Sequence, residues 1–313
     1  MVEILLATHN STKYLAQQID SIIAQEYTDW HLFIRDDGSS DSTLAMIKDY
    51  IASYPDKITL LPSSGDNIGV VRNFGLLLEA STAPYVMFCD HDDVWLPNKI
   101  AVEMEHMRDV EKRIGHDQAI LVFTDLVIVD EQLHWIADSF YSYSNLSHSD
   151  YSFHRLLFYF NWILGCTMMF NRKLIDCCGK IPVEALWHDE WITYVAVLFG
   201  HISFCPGKVI YYRQHGFNLS EGVTRTGFKN MFKVFLSLKK VRKIFKRRTQ
   251  QNKTMAALYH HLLENDNRLR ALEDFGHLPE CPWWKRGKII FRHGWKKVSL
   301  WRMTVIWILS RIK

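Results

Sequence analysis

No CxxC pair and no regular spacing joins the six cysteines, Cys89, Cys166, Cys177, Cys178, Cys205 and Cys281, which argues against a disulfide framework. Cys89, Cys166 and Cys205 sit in apolar runs, where a reduced cysteine packs as a small hydrophobe. Reduced thiols in a cytosolic protein are therefore expected. Long hydrophobic runs are also missing. The longest uncharged stretches, Leu156–Asn171 and Trp191–Gly207, fall short of the roughly 20 apolar residues that span a bilayer, and Asn161, Gly165 and His201 interrupt them. No signal-peptide pattern precedes the strand-like segment Val2 to Ala7, so no secretory leader is expected. Internal repeats and low-complexity segments are absent.

What is present is enough apolar residue for a sizeable core: 48% of the 313 residues are hydrophobic and 13% aromatic, which excludes wholesale disorder. The net charge of +3 hides an asymmetry. Residues 1–227 hold 16 Lys/Arg against 29 Asp/Glu, whereas residues 228–313 hold 21 against 5. The first part is thus at −13 and the second at +16, and a basic tail points to an anionic partner.

Over the first hundred residues, strand-like runs (Val2–Ala7, His31–Arg35, Ile58–Leu61, Tyr85–Cys89) alternate with helical patterns. In the first helical pattern Leu15, Ile19, Ile22 and Ile23 recur at helical spacing; the second opens at Asp41-Ser42-Thr43; the third follows Gly69. This rhythm predicts an α/β domain with a mostly parallel, Rossmann-like sheet. Residues 114–215 continue it, with strands predicted at Ile120–Phe123, Cys166–Phe170, Ile202–Cys205 and Val209–Tyr212. Gly216, Gly222 and Gly227 suggest a boundary near residue 220, separating a catalytic domain (1–220) from a basic helical region (221–313).

In such sheets ligands bind beyond the carboxyl ends of the strands, and the polar motifs fall there. Asp90, Asp92 and Asp93 place three carboxylates in four residues after the fourth strand. That crowding is costly unless a cation neutralises it. Mg²⁺ or Mn²⁺ bound by such oxygens completes its shell with phosphate and water; a solvated acidic turn is the alternative. Asp36 and Asp37, in Asp36-Asp37-Gly38-Ser39-Ser40-Asp41, are not needed to cap the following helix and can accept from a base N–H or a ribose hydroxyl; loop punctuation would also explain them. Trp187-His188-Asp189-Glu190-Trp191 sets two acids between tryptophans. An aspartate against aromatic walls has a raised pKa, which suits a general base, yet acids also favour a helix start. His215, ending Tyr211-Tyr212-Arg213-Gln214-His215, is a candidate third metal ligand.

Jointly, these segments resemble family 2 of the glycosyltransferases, which have the GT-A fold. The matching runs are Ala-Thr-His-Asn (7–10), Arg-Asp-Asp-Gly-Ser-Ser-Asp (35–41), Asn-Ile-Gly-Val-Val-Arg-Asn (67–73), Cys-Asp-His-Asp-Asp-Val-Trp-Leu-Pro-Asn-Lys (89–99), Trp-His-Asp-Glu-Trp (187–191) and Tyr-Arg-Gln-His-Gly (212–216). They cover residues 1 to about 220. The forms at 92–99, 188–191 and 212–216 look like the bacterial rhamnosyltransferase branch, which builds rhamnan and O-antigen chains. The resemblance implies that Thr8, Asn10, Asp36, Asp37 and Arg72 line the nucleotide pocket. It implies that Asp90 and Asp92 are the metal-binding pair, that Asp93 lies beside them, that His215 contacts metal or diphosphate, and that Asp189 is the base. Many relatives have an aromatic where this chain has Glu190, so Glu190 stays the alternative base. The implied reaction is inverting transfer of L-rhamnose from dTDP-β-L-rhamnose to a lipid-linked saccharide in cell-surface polysaccharide synthesis. A UDP-hexose or UDP-N-acetylhexosamine is the alternative donor.

Two functional rivals stand outside that reaction. Val86–Val94 fits the opening of a haloacid-dehalogenase-type phosphohydrolase, but no Gly-Asp-x-x-x-Asp cluster follows residue 94. A polyanion- or sugar-nucleotide-binding module is the non-enzyme reading. In the tail, Phe228, Met231, Phe232, Phe235, Leu238, Val241, Ile244 and Phe245 recur at helical spacing among cations. Residues 283–313 hold five Trp, nine Lys/Arg and no acid, the composition of a membrane–water interface. An anionic membrane surface, reached from the cytoplasm at the inner face of the plasma membrane, is the expected partner. Nucleic acid is not expected. Apolar faces packed on the catalytic domain are the rival for the tail.

Overall fold

The computed structural model describes residues 1–149, 151–158, 161–215 and 238–294, with side chains from residue 243 in the last stretch. β1 (Val2–Thr8) is buried along its whole length, as a strand covered by helices on both faces must be. Its one acid, Glu3, accepts from the backbone N–H groups of Thr82 and Ala83 at 2.9 and 3.1 Å. β1 pairs in parallel with β2 (Trp30–Asp36) and β4 (Tyr85–Cys89), and β2 with β3 (Ile58–Leu60). The second half of the nine-stranded sheet is formed by β5 (Val94–Trp95), β6 (Ile120–Val129), β7 (Trp135–Ala137), β8 (Met168–Asn171) and β9 (His201–Arg213). The order is β3-β2-β1-β4-β8-β6-β9-β5, with β7 on β6. β6 and β9 are parallel; β8, β5 and β7 pair antiparallel.

The expected α/β alternation is present, with α1 (Leu15–Ile23), α2 (Thr43–Ser53) and α3 (Val70–Ala80) between the first four strands. The two strands predicted at Ile202–Cys205 and Val209–Tyr212 are one. Thr124 pairs with Cys205 and Asp125 with Lys208, so Pro206 and Gly207 form a bulge, which lets a proline sit inside a ladder. Register puts the ligand-bearing loops at one edge. Thr8 is opposite Asp36 and Leu6 opposite Cys89, so the loops after β1, β2 and β4 emerge side by side.

Below that edge lie α4 (Lys99–Ile114), α5 (Phe140–Tyr143), α6 (Phe153–Phe158), α7 (Arg172–Cys178) and α8 (His188–Phe199), followed by α9 (Leu238–Leu263), α10 (Asn267–Gly276) and α11 (Trp283–Gly294). The C-terminal helices share the core of the sheet domain: Met255, Tyr259, Leu263, Leu272, Phe275 and Ile290 are buried in one continuous apolar cluster with it. Among the described residues, several tail cations have internal partners. Arg247 donates to the carbonyls of Ala185 and Leu186, Arg248 to Glu190, Lys253 to Glu280, Arg268 to Val197 and Asp266, and Arg286 to Cys281 and Pro279. The packed-face alternative describes the buried faces of α9–α11, while Leu258, Leu262, Trp283 and Trp284 stay exposed. The boundary at 220 and most of the apolar stripe at 228–245 lie outside the described residues. Among the described residues no helix is long and apolar enough to cross a membrane.

Candidate active site

At the nucleotide side of the edge, Thr8 Oγ1 donates to Asp36 Oδ1 at 2.9 Å, and Ser39 donates its N–H to Asp36 Oδ2 at 2.8 Å. Asp37 turns the other way: its two carboxylate oxygens accept the N–H groups of Ile68 and Gly69, both at 2.9 Å. It thereby fixes the loop that starts α3. Gly38 is required between them. Its φ is +74°, and a Cβ there would lie 2.4 Å from the Gly65 carbonyl oxygen, so no side chain fits. Asn10, at φ +50°, accepts Ser40 N–H on its side-chain oxygen at 2.8 Å and donates its own N–H to Ser39 Oγ at 2.8 Å. Thr8, Asn10, Asp36 and Asp37 are thus brought together. Arg72 is not: its guanidinium points two turns along α3 to Glu79, at 2.8 Å, which also holds Lys180.

The acidic loop after β4 is assembled by β9. Asp93 is fully buried and accepts the Arg213 N–H at 3.1 Å. The Arg213 guanidinium, itself buried, donates to the Asp92 carbonyl and to Gln17, and stacks on Tyr14 at 4.6 Å. The His215 ring stacks on Tyr14, with centroids 4.9 Å apart, and its Nε2 meets Asp92 Oδ2 at 2.8 Å. Asp92 and His215, 123 residues apart, therefore meet, while Asp90, two residues from Asp92, lies with Asp93 and Cys166, one ligand atom of each within 4.8 Å of the others. Burial, reinforced by the charges of Asp92 and Asp189, pushes the Asp90 carboxyl up to about 8. Burial also acts on Asp92, but the His215 hydrogen bond and the neighbouring histidines outweigh it and hold Asp92 below the usual range. Buried carboxylates that repel one another are costly unless a cation neutralises them. Hard oxygens with one ring nitrogen suit Mn²⁺ or Mg²⁺.

The two acids on α8 separate. Glu190 is buried and bound at both oxygens, to Arg248 at 3.1 Å and Gln251 at 2.9 Å, both from α9. Asp189 faces the edge of Asp90. Its oxygens accept Glu190 N–H at 2.7 Å and Gly165 N–H at 3.2 Å, and burial lifts its carboxyl to about 7. Gly165 allows that approach, since a Cβ there would be 3.2 Å from His188 Nε2 and 3.4 Å from Asp189 Cβ. His188 is stacked on Phe74 at 3.8 Å and edge-on to Phe88, and neither ring nitrogen has a hydrogen-bond partner among the described residues. Burial pushes it down to about 3, so it is a neutral spacer behind Asp189. Sequence reasoning missed Arg213, Tyr14, Ser39 and Gly165. Arg213 stood inside the singled-out histidine motif without a role, and Ser39 inside the acidic turn; Gly165 and Tyr14 carried no functional signal.

The profile described as Glycosyl transferase family 2 matches residues 3–177. An uncharacterized glycosyltransferase, alr2836 of Nostoc, is 29% identical over 223 residues, which cover 69% of this chain and 66% of that protein. The dTDP-rhamnosyl transferase RfbG of Shigella flexneri is 37% identical over 98 residues, 30% of this chain and 34% of that one. The chain thus spans less than two thirds of the length of these curated relatives. Among solved structures, S. aureus TarS 1–349 is similar at a TM-score of 0.55 and 14% identity, covering 99% of this chain and 80% of that one. Mannosyltransferase PcManGT from Pyrobaculum calidifontis, in complex with GDP-Man and Mn²⁺, is similar at 0.52 and 14%, covering 97% and 78%. These likenesses establish the GT-A fold.

Proposed function

The chain belongs to glycosyltransferase family 2, and from that membership we propose that it transfers a sugar, with inversion, from a nucleoside-diphosphate donor to a saccharide hydroxyl. The observation that carries this reading is the Asp92–His215 contact beside Asp90, at the strand edge where Asp189 stands and Thr8–Asp36 open the nucleotide side. Asp92, His215 and Asp90 would hold Mn²⁺ or Mg²⁺, which when bound supplies positive charge to the departing diphosphate. Asp189 takes the proton from the acceptor hydroxyl; a carboxyl lifted to about 7 matches a base working near neutrality. Thr8, Asn10, Asp36 and Asp37 shape the nucleotide pocket, and Arg72 reaches a diphosphate by leaving Glu79.

For the donor we propose dTDP-β-L-rhamnose, which would give an α-linked product. The local identity to the Shigella flexneri dTDP-rhamnosyl transferase supports it. The acceptor we propose is a lipid-linked saccharide, met at the inner face of the plasma membrane. The test is release of nucleoside diphosphate from dTDP-rhamnose, UDP-glucose, UDP-N-acetylglucosamine and GDP-mannose, with Mn²⁺ and with chelator. Turnover of a UDP-sugar but not of dTDP-rhamnose would replace the donor and leave the mechanism standing.

A further inference from the structure

A second concave, basic place lies away from this edge. α6, α10 and α11 enclose a cleft of about 340 Å³ lined by Phe153, His154, Arg268, Arg270, Arg292 and His293. Three guanidiniums converge there. Arg268 is paired with the Asp266 carboxylate and donates to the Val197 carbonyl at 3.2 Å, which fixes its position in the lining. Arg292 lies 3.8 Å from Asp274, a carboxylate already held by His293 at 2.8 Å. Arg270 is exposed and has no carboxylate partner among the described residues. Planar guanidiniums gathered in a recess can donate in pairs to the several oxygens of a phosphate.

The rim of the same helix says where that phosphate comes from. Trp283 and Trp284 are 55% and 54% exposed, at the start of α11. Lys288 lies 5.5 Å over the Trp284 ring. Trp284, Lys288 and Arg292 follow at successive fourth positions, so they form one stripe running into the cleft. α11 carries Lys285, Arg286, Lys288 and Arg292 and no acid. Exposed tryptophans next to cations belong at a lipid headgroup layer; a soluble phosphate would need no such rim.

We propose that this cleft binds the phosphate of an anionic membrane lipid, with Trp283 and Trp284 inserted beside it; the proposal rests on the membrane reading of the tail. Arg268 meets α8 at Val197, eight residues from Asp189, which at 1.5 Å per residue is about 12 Å from the base. A headgroup in the cleft therefore docks the enzyme without entering the reaction.

The test is sedimentation of the full chain with phosphatidylglycerol or phosphatidylcholine vesicles, for the wild type, Arg270→Gln/Arg292→Gln and Trp283→Ala/Trp284→Ala. Donor binding and melting temperature serve as controls for folding. At about fivefold per cation near an anionic surface, the double arginine variant should bind phosphatidylglycerol vesicles about thirtyfold more weakly. The double tryptophan variant should lose the binding that survives high salt. Vesicle binding unchanged by Arg270→Gln/Arg292→Gln would overturn the cleft and leave the membrane reading intact. A wild-type chain that ignores both vesicles would overturn the membrane reading and the cleft with it. A melting-temperature rise with inorganic pyrophosphate, lost in the arginine variant and without vesicle binding, would assign the cleft to a soluble phosphate instead.

Discussion

Asp189→Asn and Glu190→Gln change neighbouring residues in the same chemical way, and opposite outcomes are expected. Glu190 is bound on both oxygens by Arg248 and Gln251. Gln in its place removes the Glu190 charge from the Arg248 guanidinium. Breaking one side of a buried pair costs about 3–5 kcal/mol, which at roughly 2 °C per kcal/mol for a chain of this size lowers the melting temperature by roughly 6–10 °C. The molecules that stay folded keep their base, so turnover per folded molecule should hold within about twofold. Asp189→Asn keeps an acceptor for only one of the N–H groups of Gly165 and Glu190, a loss of about 1–3 kcal/mol. It removes the base, and turnover should fall by about two to four orders of magnitude.

The pH dependence follows from the same carboxyl. A base lifted to about 7 is protonated below that pH, so wild-type turnover should rise about tenfold per unit up to pH 7 and level off above it. Asp189→Asn should flatten that limb. Because the folded state holds the Asp189 proton more tightly than the unfolded chain, the associated stability is complete below about pH 4 and is lost as pH rises through 7. Asn has no such proton, so its deficit relative to wild type should be smaller at pH 8 than at pH 5. The assays are initial rates from pH 5.5 to 8.5, normalised to folded protein, and thermal melts of the same samples. An Asp189→Asn protein that turns over normally, beside a folded but dead Glu190→Gln, would refute the assignment and move the base to Glu190.

Asp92→Ala and His215→Ala should each abolish the divalent-metal-dependent part of nucleotide stabilisation in a thermal-shift assay, leaving the metal-free melt within a few degrees of wild type. Arg72→Ala should weaken donor binding by about tenfold to a hundredfold, the size of a hydrogen bond to a charged group, measured by calorimetry; unchanged affinity would leave Arg72 as a surface partner of Glu79. In chelator the wild-type melting temperature should fall between pH 5 and 8. Asp90 at about 8 and Asp189 and Glu103 at about 7 are all raised by burial, so each favours the folded state only while protonated. A melting temperature that climbs over that range would mean these groups are ionised when folded.

The parallel half of the sheet was readable because its signals are local. Tyr85–Cys89 was bounded by residue pattern alone, and β1 and β2 were each found to within a residue, since an apolar run followed by a polar turn needs no distant partner. The second half was harder: Pro206-Gly207 reads as a break but is a bulge, whose cost is met by β6 across the ladder. The site divided along the same line. Asp90, Asp92 and Asp189 announced themselves by crowding or by aromatic flanks. The distinct tasks of Asp189 and Glu190 did not, because they are set by Arg248 and Gln251 some 60 residues on and by the side of α8 that each acid occupies. Asp37 looked like a free ligand and instead has both oxygens on the loop before α3, a use visible only once that loop is placed.

The central claim, a cation-assisted transfer from a nucleoside-diphosphate sugar, is tested most directly by following nucleoside diphosphate release from dTDP-β-L-rhamnose in Mn²⁺. Wild type, Asp92→Ala and Asp189→Asn are compared, with binding of the same donor measured in parallel. The expected result is Mn²⁺-dependent release by the wild type, no binding-dependent release by Asp92→Ala, and retained binding with release lowered at least about a hundredfold in Asp189→Asn. Failure of the wild type to bind or cleave this donor, and the UDP- and GDP-sugars beside it, in either metal would contradict the claim.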